Sequence, residues 1–237
     1  MRLIGRINNL LKSEIGNQCF TVCGNHDTNT ERPLTSSDMI EQEELNRMWF
    51  GTEVGYYIIE GYDHNIFMFD SGPITRKSLY ENENDYDITQ LLWLGTQLEQ
   101  NQKPHLLGVI HSINKNNSDE APSWFGSTAT KIIQAFNHKQ NYTFTYTYSG
   151  NSTVSRTFNF SSNTVGTFHF IISGHHHRDD YFIKDDIPVI RTYDCKNYLL
   201  LDCCYADFNN GKLYLDRIGG IKETISDNEI EDKTKSR

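Results

Sequence analysis

Polar side chains that can bind a metal follow three short apolar segments of the sequence, at the point where each segment ends. The three junctions are Phe20–Cys23 before Gly24-Asn25-His26-Asp27, Leu106–Ile110 before His111, and Phe170–Ser173 before Gly174-His175-His176-His177. Imidazole nitrogens and amide oxygens suit a borderline divalent ion such as manganese, iron or zinc. Because the ends of neighbouring strands in a layered α/β protein form a common rim where ligands bind, we expect these side chains to converge. The pattern predicts a metal site at the ends of three strands.

Each junction also has an ordinary structural interpretation. A single histidine after a strand, as at His111, is more often a partly buried residue with a local hydrogen bond than a metal ligand. Three consecutive histidines could be solvated surface residues, but the run at 175–177 is internal and follows an apolar segment and Gly174. Taken one at a time the structural interpretations hold, whereas the three junctions together favour metal chemistry.

In order and in strand context, the three junctions resemble motifs of the calcineurin-like metallophosphoesterases. That family carries DxH, GDxxD, GNHD or GNHE, a single H and GHxH in this order, and Gly24–Asp27, His111 and Gly174–His177 are similar to the last three. The stretch from Phe158 to Asp179 is also similar to phosphoesterases of phages and prophages of low-GC bacteria. The resemblance implies an α/β (α+β) fold, here a partial four-layer αββα sandwich. It also implies hydrolysis of phosphomonoesters or phosphodiesters by a hydroxide that two metals activate.

The resemblance assigns metal ligands residue by residue. Asn25 would bind one metal through its amide oxygen, and His111 and His175 would complete the protein ligands available to that ion. His177 would bind the second metal. His176 should point away from both neighbours if the segment is extended, and it is not expected to be a ligand. The implied cofactors are two divalent metal ions (Mn, Fe, Zn or Ni) in a complete family site, and one or none in this chain.

The histidine that follows the metal-binding amide is the implied catalytic residue. His26 would protonate or stabilise the leaving oxygen, and Asp27 would orient its imidazole. General physical chemistry supports the same roles, because an imidazole beside a carboxylate is a suitable general acid near neutral pH. A phosphate ester is therefore the expected substrate.

The first two motifs of the family have no counterpart in the sequence. No Asp-x-His triplet occurs, and none of the sixteen glycines precedes an aspartate. Asp63-His64 has the wrong spacing for DxH, and Asp70, at the end of an apolar segment, is interpreted as structural. Loss of a residue that only hydrogen-bonds to a metal ligand lowers metal affinity by about 10–100-fold. The absence of the ligating carboxylates themselves therefore predicts impaired metal binding and activity. Three explanations are open: a fragment or misassigned start, a split protein that an upstream chain completes, or a decayed non-catalytic domain.

The alternative function is a non-catalytic binding or structural module, either a pseudoenzyme or a component of a phage particle. Its contact surface would be the aromatic segment 141–160, in which aromatic residues alternate with threonine and serine. This alternation, broken at Gly150, predicts an inserted β-hairpin. The favoured interpretation is that its aromatic face packs on the protein body, rather than forming a surface for carbohydrates or nucleotide bases.

Apolar periodicity predicts the elements that position these side chains. Helices are expected over 7–15, 41–50, 87–99 and 127–138, with Asp87 as the N-cap of the third. Strands are expected over 19–23, 56–60, 65–69, 106–110, 168–173, 189–192, 198–202 and 212–217. The domain interpretation is one phosphoesterase domain over 1–221 that lacks the N-terminal motifs and carries the 141–160 insertion. A charged tail over 222–237 follows it.

Composition excludes several classes of protein. The 237-residue sequence has no apolar run near the roughly 18 residues of a membrane span, which predicts a soluble protein without a membrane partner. It shows no signal-peptide pattern, so the cytoplasm or a phage particle is the expected location. The net charge of −9 argues against a sequence-independent nucleic-acid binder and leaves nucleic acid only as a substrate. The five cysteines include no CxxC pair and are interpreted as buried thiols rather than disulfides or a zinc site.

Overall fold

The computed structural model describes residues 20–24, 27, 42–70, 83–113, 115, 124–147, 152–162, 165–192, 200–208 and 212–219. Its helices are α1 (Gln42–Phe50), α2 (Glu83–Glu99) and α3 (Trp124–Asn137), with a 3-10 turn at Phe160–Ser162. Its strands are β1 (Tyr57–Glu60), β2 (His64–Phe69), β3 (His105–Ile110), β4 (Tyr142–Thr147), β5 (Thr153–Phe158), β6 (Thr167–Ser173), β7 (Asp180–Lys184), β8 (Ile187–Arg191), β9 (Leu200–Asp207) and β10 (Lys212–Gly219). None of the described helices combines the length and apolar character that crossing a membrane requires. The predicted helix at 7–15 and tail at 222–237 lie outside the described residues.

A six-stranded sheet with the order β1-β2-β3-β6-β8-β7 forms the centre of the fold. Its four inner strands β2, β3, β6 and β8 run parallel to one another, whereas β1 and β7 join the edges as antiparallel partners. Strands β4 and β5 form one separate antiparallel ribbon, and β9 and β10 form another. The prediction of a mixed α/β fold is confirmed, with a mostly parallel central sheet and three described helices.

Helices α2 and α3 cover one face of the central sheet. Their apolar residues recur every three or four positions and share a core with the sheet, among them Leu91, Leu94, Ile132, Ile133, Phe67 and Leu106. Helix α2 begins at Glu83, so the prediction that Asp87 caps it is wrong. An aspartate stabilises a helix in its first turn as well as at the N-cap, because the positive end of the helix dipole attracts it, so its presence alone does not fix the first helical residue.

The β9–β10 ribbon packs on the opposite face of the central sheet. Leu106 belongs to the helix-side core, and its neighbour Leu107 belongs to a second cluster with Phe170, Ile190 and Leu213. Consecutive residues of a strand point to opposite faces, so the two clusters lie on the two sides of the sheet. The described chain therefore stacks in three layers, which are the helices, the central sheet and the β9–β10 ribbon.

The β4–β5 ribbon is the hairpin predicted over 141–160. Phe144 and Phe158 are buried in the helix-side core, and the half-buried Tyr142 and Tyr146 pack against it. The opposite face presents hydroxyls that pair across the strands at 2.9–3.1 Å, in the pairs Thr143–Thr157, Thr145–Ser155 and Thr147–Thr153. The interpretation that the aromatic face packs on the body is confirmed, and the exposed face carries hydroxyls instead of rings.

Strand β7 is absent from the predicted elements. It pairs with β8 across the two-residue turn Asp185-Asp186, whose residues have φ values of 46° and 61°. Two positive φ values match the twist of a tight hairpin, and Asn-Gly or Asp-Gly usually marks such a turn in a sequence. Asp185-Asp186 contains no glycine, so the sequence gives no clear signal for this turn, and β7 was not predicted.

Two histidines meet where the β9–β10 ribbon docks on the central sheet. A bulge in the pairing of β3 with β6 places His169 and Phe170 on the same face. His105 Nδ1 and His169 Nε2 lie 3.1 Å apart, and the ring of Phe208 stacks on His105 with a centroid distance of 4.5 Å. Burial, and secondarily the neighbouring His105, lowers the pKa of the His169 imidazole. Docking of the ribbon thus favours the neutral form of this ring.

Acidification is expected to destabilise the folded state through His169. Its pKa is below the ordinary value in the folded protein, so the unfolded chain binds more protons once the pH falls through about 6.5. The stability that depends on the neutral ring is therefore present above about pH 6.5 and is lost as the pH falls towards the lowered pKa. We expect His169→Gln to flatten the fall in unfolding free energy between about pH 7 and pH 5. The difference should be at most about 1 kcal/mol, because solvent reaches the half-buried ring.

Urea unfolding at a series of pH values measures this effect. His138→Gln replaces a histidine whose side chain is 47% exposed and serves as the matched comparison away from the β9–β10 ribbon. Identical pH profiles for the wild type and His169→Gln would contradict the prediction.

Candidate metal-binding site at the strand ends

The ends of two strands bring His111 and His175 together. His111 follows β3 directly, and His175 follows β6 after Gly174. Because β3 and β6 are adjacent and parallel, the chain leaves both strands at the same edge of the sheet. The Gly174 N–H donates to the His111 carbonyl at 3.0 Å, which joins the two exits.

The two imidazoles are in direct contact. His111 Nε2 and His175 Nδ1 lie 3.2 Å apart, and the ring planes are inclined at 79°. Both residues are half-buried. One ring N–H can donate to the facing nitrogen of the other ring. Two nitrogens that each lie about 2.1 Å from one ion, at tetrahedral or octahedral angles, are about 3.0–3.4 Å apart. The pair therefore also has the spacing of two ligands on one ion.

Residues 174–178 form a turn, here named the histidine turn, with an unusual backbone. His175 and His177 have left-handed φ values of 72° and 51°. This conformation costs a residue with a side chain roughly 1–2 kcal/mol, and such residues cluster at functional sites. The extended segment on which the prediction for His176 depends is therefore wrong. The ring of His176 stands T-shaped on that of His175 at a centroid distance of 5.0 Å, and His177 is exposed.

The first junction approaches the histidine pair through Gly24. A Cβ on Gly24 would lie 3.0 Å from the Cε1 and Nδ1 atoms of His111, so glycine lets the ring lie against this backbone. Residues 20–24 do not form the predicted strand. The Thr21 N–H donates to the Tyr57 hydroxyl at 3.1 Å, and that hydroxyl donates to the Thr21 carbonyl at 2.8 Å. A side chain thus satisfies the backbone groups that a neighbouring strand would have bound.

Two hydrogen bonds join Gly24 and Asp27. The Asp27 N–H donates to the Gly24 carbonyl at 3.2 Å, and the Gly24 N–H donates to the Asp27 carboxylate at 2.7 Å. Asn25 and His26 lie outside the described residues, so their roles as metal ligand and catalytic acid stay predictions. The Asp27 carboxylate binds the Gly24 backbone, and its role in orienting the His26 imidazole also stays a prediction.

The described residues supply part of a donor set for a divalent ion. His111 and His175 fit as two nitrogen ligands of one borderline ion. Among the side chains that the structure describes, no group of three histidine, cysteine or acidic residues could hold a metal. The predicted third ligand, Asn25, follows Gly24, whose backbone lies against the His111 ring. The described residues therefore fit two of the three predicted ligands of this ion, and Asn25 as the third ligand stays a prediction.

Sequence reasoning missed the charged residues that hold the end of the histidine turn. Arg217 of β10 donates to both carboxylate oxygens of Asp179, at 2.6 and 2.7 Å. Lys115 and Arg191 each lie 3.5 Å from the Asp180 carboxylate. Two consecutive acids, separated from the three histidines by Arg178, are the signal that the sequence offers. Their cationic partners are distant in the sequence and become neighbours only in the fold.

Two acidic residues considered as substitutes for the missing motifs have structural partners. Asp70, at the end of β2, is fully buried, and its backbone exchanges two hydrogen bonds with the Gln90 amide at 2.9 and 2.7 Å. Burial, and secondarily the charge of Asp70, raises the pKa of Tyr56. Asp63 pairs with His64 at 2.9 Å at the start of β2, which is the opposite end of the sheet from the histidine pair. These contacts support the structural interpretation of both acids.

Comparison with known proteins leaves the family of this chain open. No protein-family model matches the sequence, and no curated protein matches it significantly. The resemblance to metallophosphoesterases therefore depends on the three sequence junctions alone.

Proposed function

We propose that this chain takes part in metal-dependent hydrolysis of phosphate esters, as the part of a calcineurin-like metallophosphoesterase that carries GNHD, H and GHxH. One observation carries the proposal: His111 and His175, at the ends of adjacent parallel strands, hold their nitrogens 3.2 Å apart beside Gly24. The carboxyl ends of parallel strands are also where open α/β sheets bind their ligands.

The layers of the fold support the same family. Helices α2 and α3, the central sheet and the β9–β10 ribbon match three successive layers of an αββα sandwich. A complete αββα sandwich would also need a fourth layer and further strands beside β9 and β10, which the described residues do not supply. A two-stranded sheet gains stability from such neighbours, because an isolated ribbon is marginally stable in water.

The metal ligands have defined tasks in this proposal. Asn25, His111 and His175 would hold one divalent ion, and His177 would hold a second. When bound, such ions polarise the phosphoryl group as Lewis acids. The sequence contains neither DxH nor GDxxD, so we expect the carboxylates of the second metal to come from a further polypeptide segment.

The proton that the leaving group requires would come from His26. An imidazole exchanges its proton near neutral pH, which makes it an effective general acid under physiological conditions. Two hydrogen bonds join Gly24 and Asp27, the residues on either side of Asn25-His26 in the sequence. In this proposal one edge of the sheet would supply the catalytic acid as well as the metal ligands.

Hydrolysis of bis-p-nitrophenyl phosphate and p-nitrophenyl phosphate with added Mn²⁺ tests the proposal. We expect turnover by the chain joined to a segment that carries DxH and GDxxD, and much weaker turnover by the chain alone. His26→Ala should abolish turnover in the joined protein and leave its metal content, measured by plasma emission spectroscopy, nearly unchanged. His138→Ala removes an exposed histidine next to α3 and should retain full activity.

The possible results test the catalytic acid, the reaction and the source of the missing ligands separately. Activity that survives His26→Ala would exclude His26 as the acid. Absence of turnover in both proteins, with metal bound, would contradict phosphate-ester hydrolysis and favour the non-catalytic binding module. Full turnover by the chain alone would show that the missing ligands are supplied in another way, for example between subunits.

A further inference from the structure

Arg217 connects the β9–β10 ribbon to the histidine turn. Its guanidinium donates to both carboxylate oxygens of Asp179, at 2.6 and 2.7 Å. The two side chains are only 13% and 18% exposed, which limits screening of the pair by solvent. A bidentate pair of arginine and carboxylate fixes orientation as well as distance. Because Asp179 directly follows the histidine turn, this contact holds the end of the turn against β10.

The face of β10 that carries Arg217 is the face that packs on the central sheet. Leu213 and Leu215 precede Arg217 at alternate positions and belong to the cluster between the ribbon and the sheet. Residues at alternate positions share one face of a strand. Docking of the ribbon therefore also brings Arg217 to Asp179.

A second set of contacts fixes the start of β7 to the end of β8 and to the residues that follow β3. Lys115 and Arg191 each lie 3.5 Å from the Asp180 carboxylate, and Arg191 donates to the Ile113 carbonyl at 2.7 Å. The Arg191 side chain is fully buried, so this anchor belongs to the core of the sheet. Arg217 adds a link from the ribbon that these contacts do not provide.

We propose that Arg217 is a positioning residue for the histidine pair: through Asp179 it holds the histidine turn in the conformation that sets His175 against His111. The inference rests on the proposed function, since its consequence is metal binding by this pair. His175 and His177 lie in a strained backbone region, so the turn keeps its shape only while the surrounding contacts hold it. Metal binding at the strand ends then depends on the docked β9–β10 ribbon.

Titration of the full chain with Mn²⁺, followed by the electron paramagnetic resonance signal of the free ion, tests the consequence. Arg217→Met preserves much of the side-chain bulk and removes its charge, and we expect an affinity about 10–100-fold below the wild type. Arg217→Lys retains the charge but not the bidentate geometry, so its loss should be smaller. The matched control is Arg156→Met, which removes the ion pair between Arg156 of β5 and Glu99 of α2 and should leave the affinity unchanged.

Amide hydrogen exchange of the metal-free protein tests the positioning itself. In Arg217→Met we expect the amides of residues 174–179 to exchange at least about 10-fold faster, because the turn opens locally more often. The amides of 107–110 in β3 should exchange as in the wild type, which shows that the sheet is intact. If Arg217→Met does not fold, the same two measurements on Arg217→Lys decide the question.

The two measurements keep this inference separate from the proposed function. Unchanged exchange at 174–179 would overturn the positioning role, and so would an unchanged Mn²⁺ affinity in a chain that binds the ion. If the wild type binds no Mn²⁺ and the chain joined to a DxH and GDxxD segment binds none either, the proposed function fails, and faster exchange at 174–179 would still support the positioning role.

Discussion

His111→Ala is expected to lower the affinity of the chain for Mn²⁺ by more than about 100-fold, because a direct ligand is worth more than the outer partners whose loss costs about 10–100-fold. His111 Nε2 lies 3.2 Å from His175 Nδ1, so its removal leaves His175 without the nearest nitrogen that could share an ion. Isothermal titration calorimetry with Mn²⁺, repeated with Zn²⁺, measures the loss.

The double variant His111→Ala/His175→Ala tests whether both histidines bind the same ion. If they do, the double variant should lose little more affinity than either single variant, since one remaining imidazole is a poor site. His138→Ala removes an exposed histidine elsewhere on the surface and should bind like the wild type. Losses that multiply would place the two histidines at separate sites, and no loss in either single variant would rule out the metal site.

The convergence of these histidines could be predicted because it follows from local patterns. Short apolar segments that end in glycine or histidine predict buried strands, and parallel neighbours leave a sheet at one edge. The structure begins β3 at His105 and β6 at Thr167, one residue before each predicted start, and both ends agree with the prediction. Periodicity therefore located the strand ends, and the sheet order placed them side by side.

The shape of the histidine turn could not be predicted from its own sequence. Left-handed φ values at His175 and His177 oppose the preference of residues with side chains, so distant contacts must hold them. One such contact is Asp179 with Arg217, 38 residues further along the chain. The failed prediction of a strand before Gly24 has a similar cause, since the partner of that backbone is the Tyr57 hydroxyl. Local patterns do not encode partners of this kind.

The aromatic hairpin could be predicted only in part. Its alternation predicts two strands with one aromatic face, and the structure confirms both. The surface that receives this face could not be read from the alternation. It includes α2, where Gly95 leaves room for Phe158.

Phe158→Ala is expected to destabilise the protein by about 3–5 kcal/mol, the usual cost of removing a large buried aromatic side chain. Phe158 is fully buried, and its ring stacks on that of Phe160 with a centroid distance of 5.8 Å. Gly95 is so close that a Cβ added there would overlap the Phe158 ring. Urea unfolding followed by circular dichroism measures the loss of stability.

A double-variant cycle with Gly95→Ala distinguishes close packing of the hairpin on α2 from burial alone. By itself, Gly95→Ala should cost about 1–3 kcal/mol despite the better helix propensity of alanine, because its methyl group overlaps the Phe158 ring. In the Phe158→Ala background the methyl group enters the vacated space, so the same change should be neutral or stabilising. If Gly95→Ala costs the same in both backgrounds, the aromatic face does not rest on α2. That face would then be open to a partner, as the non-catalytic alternative requires.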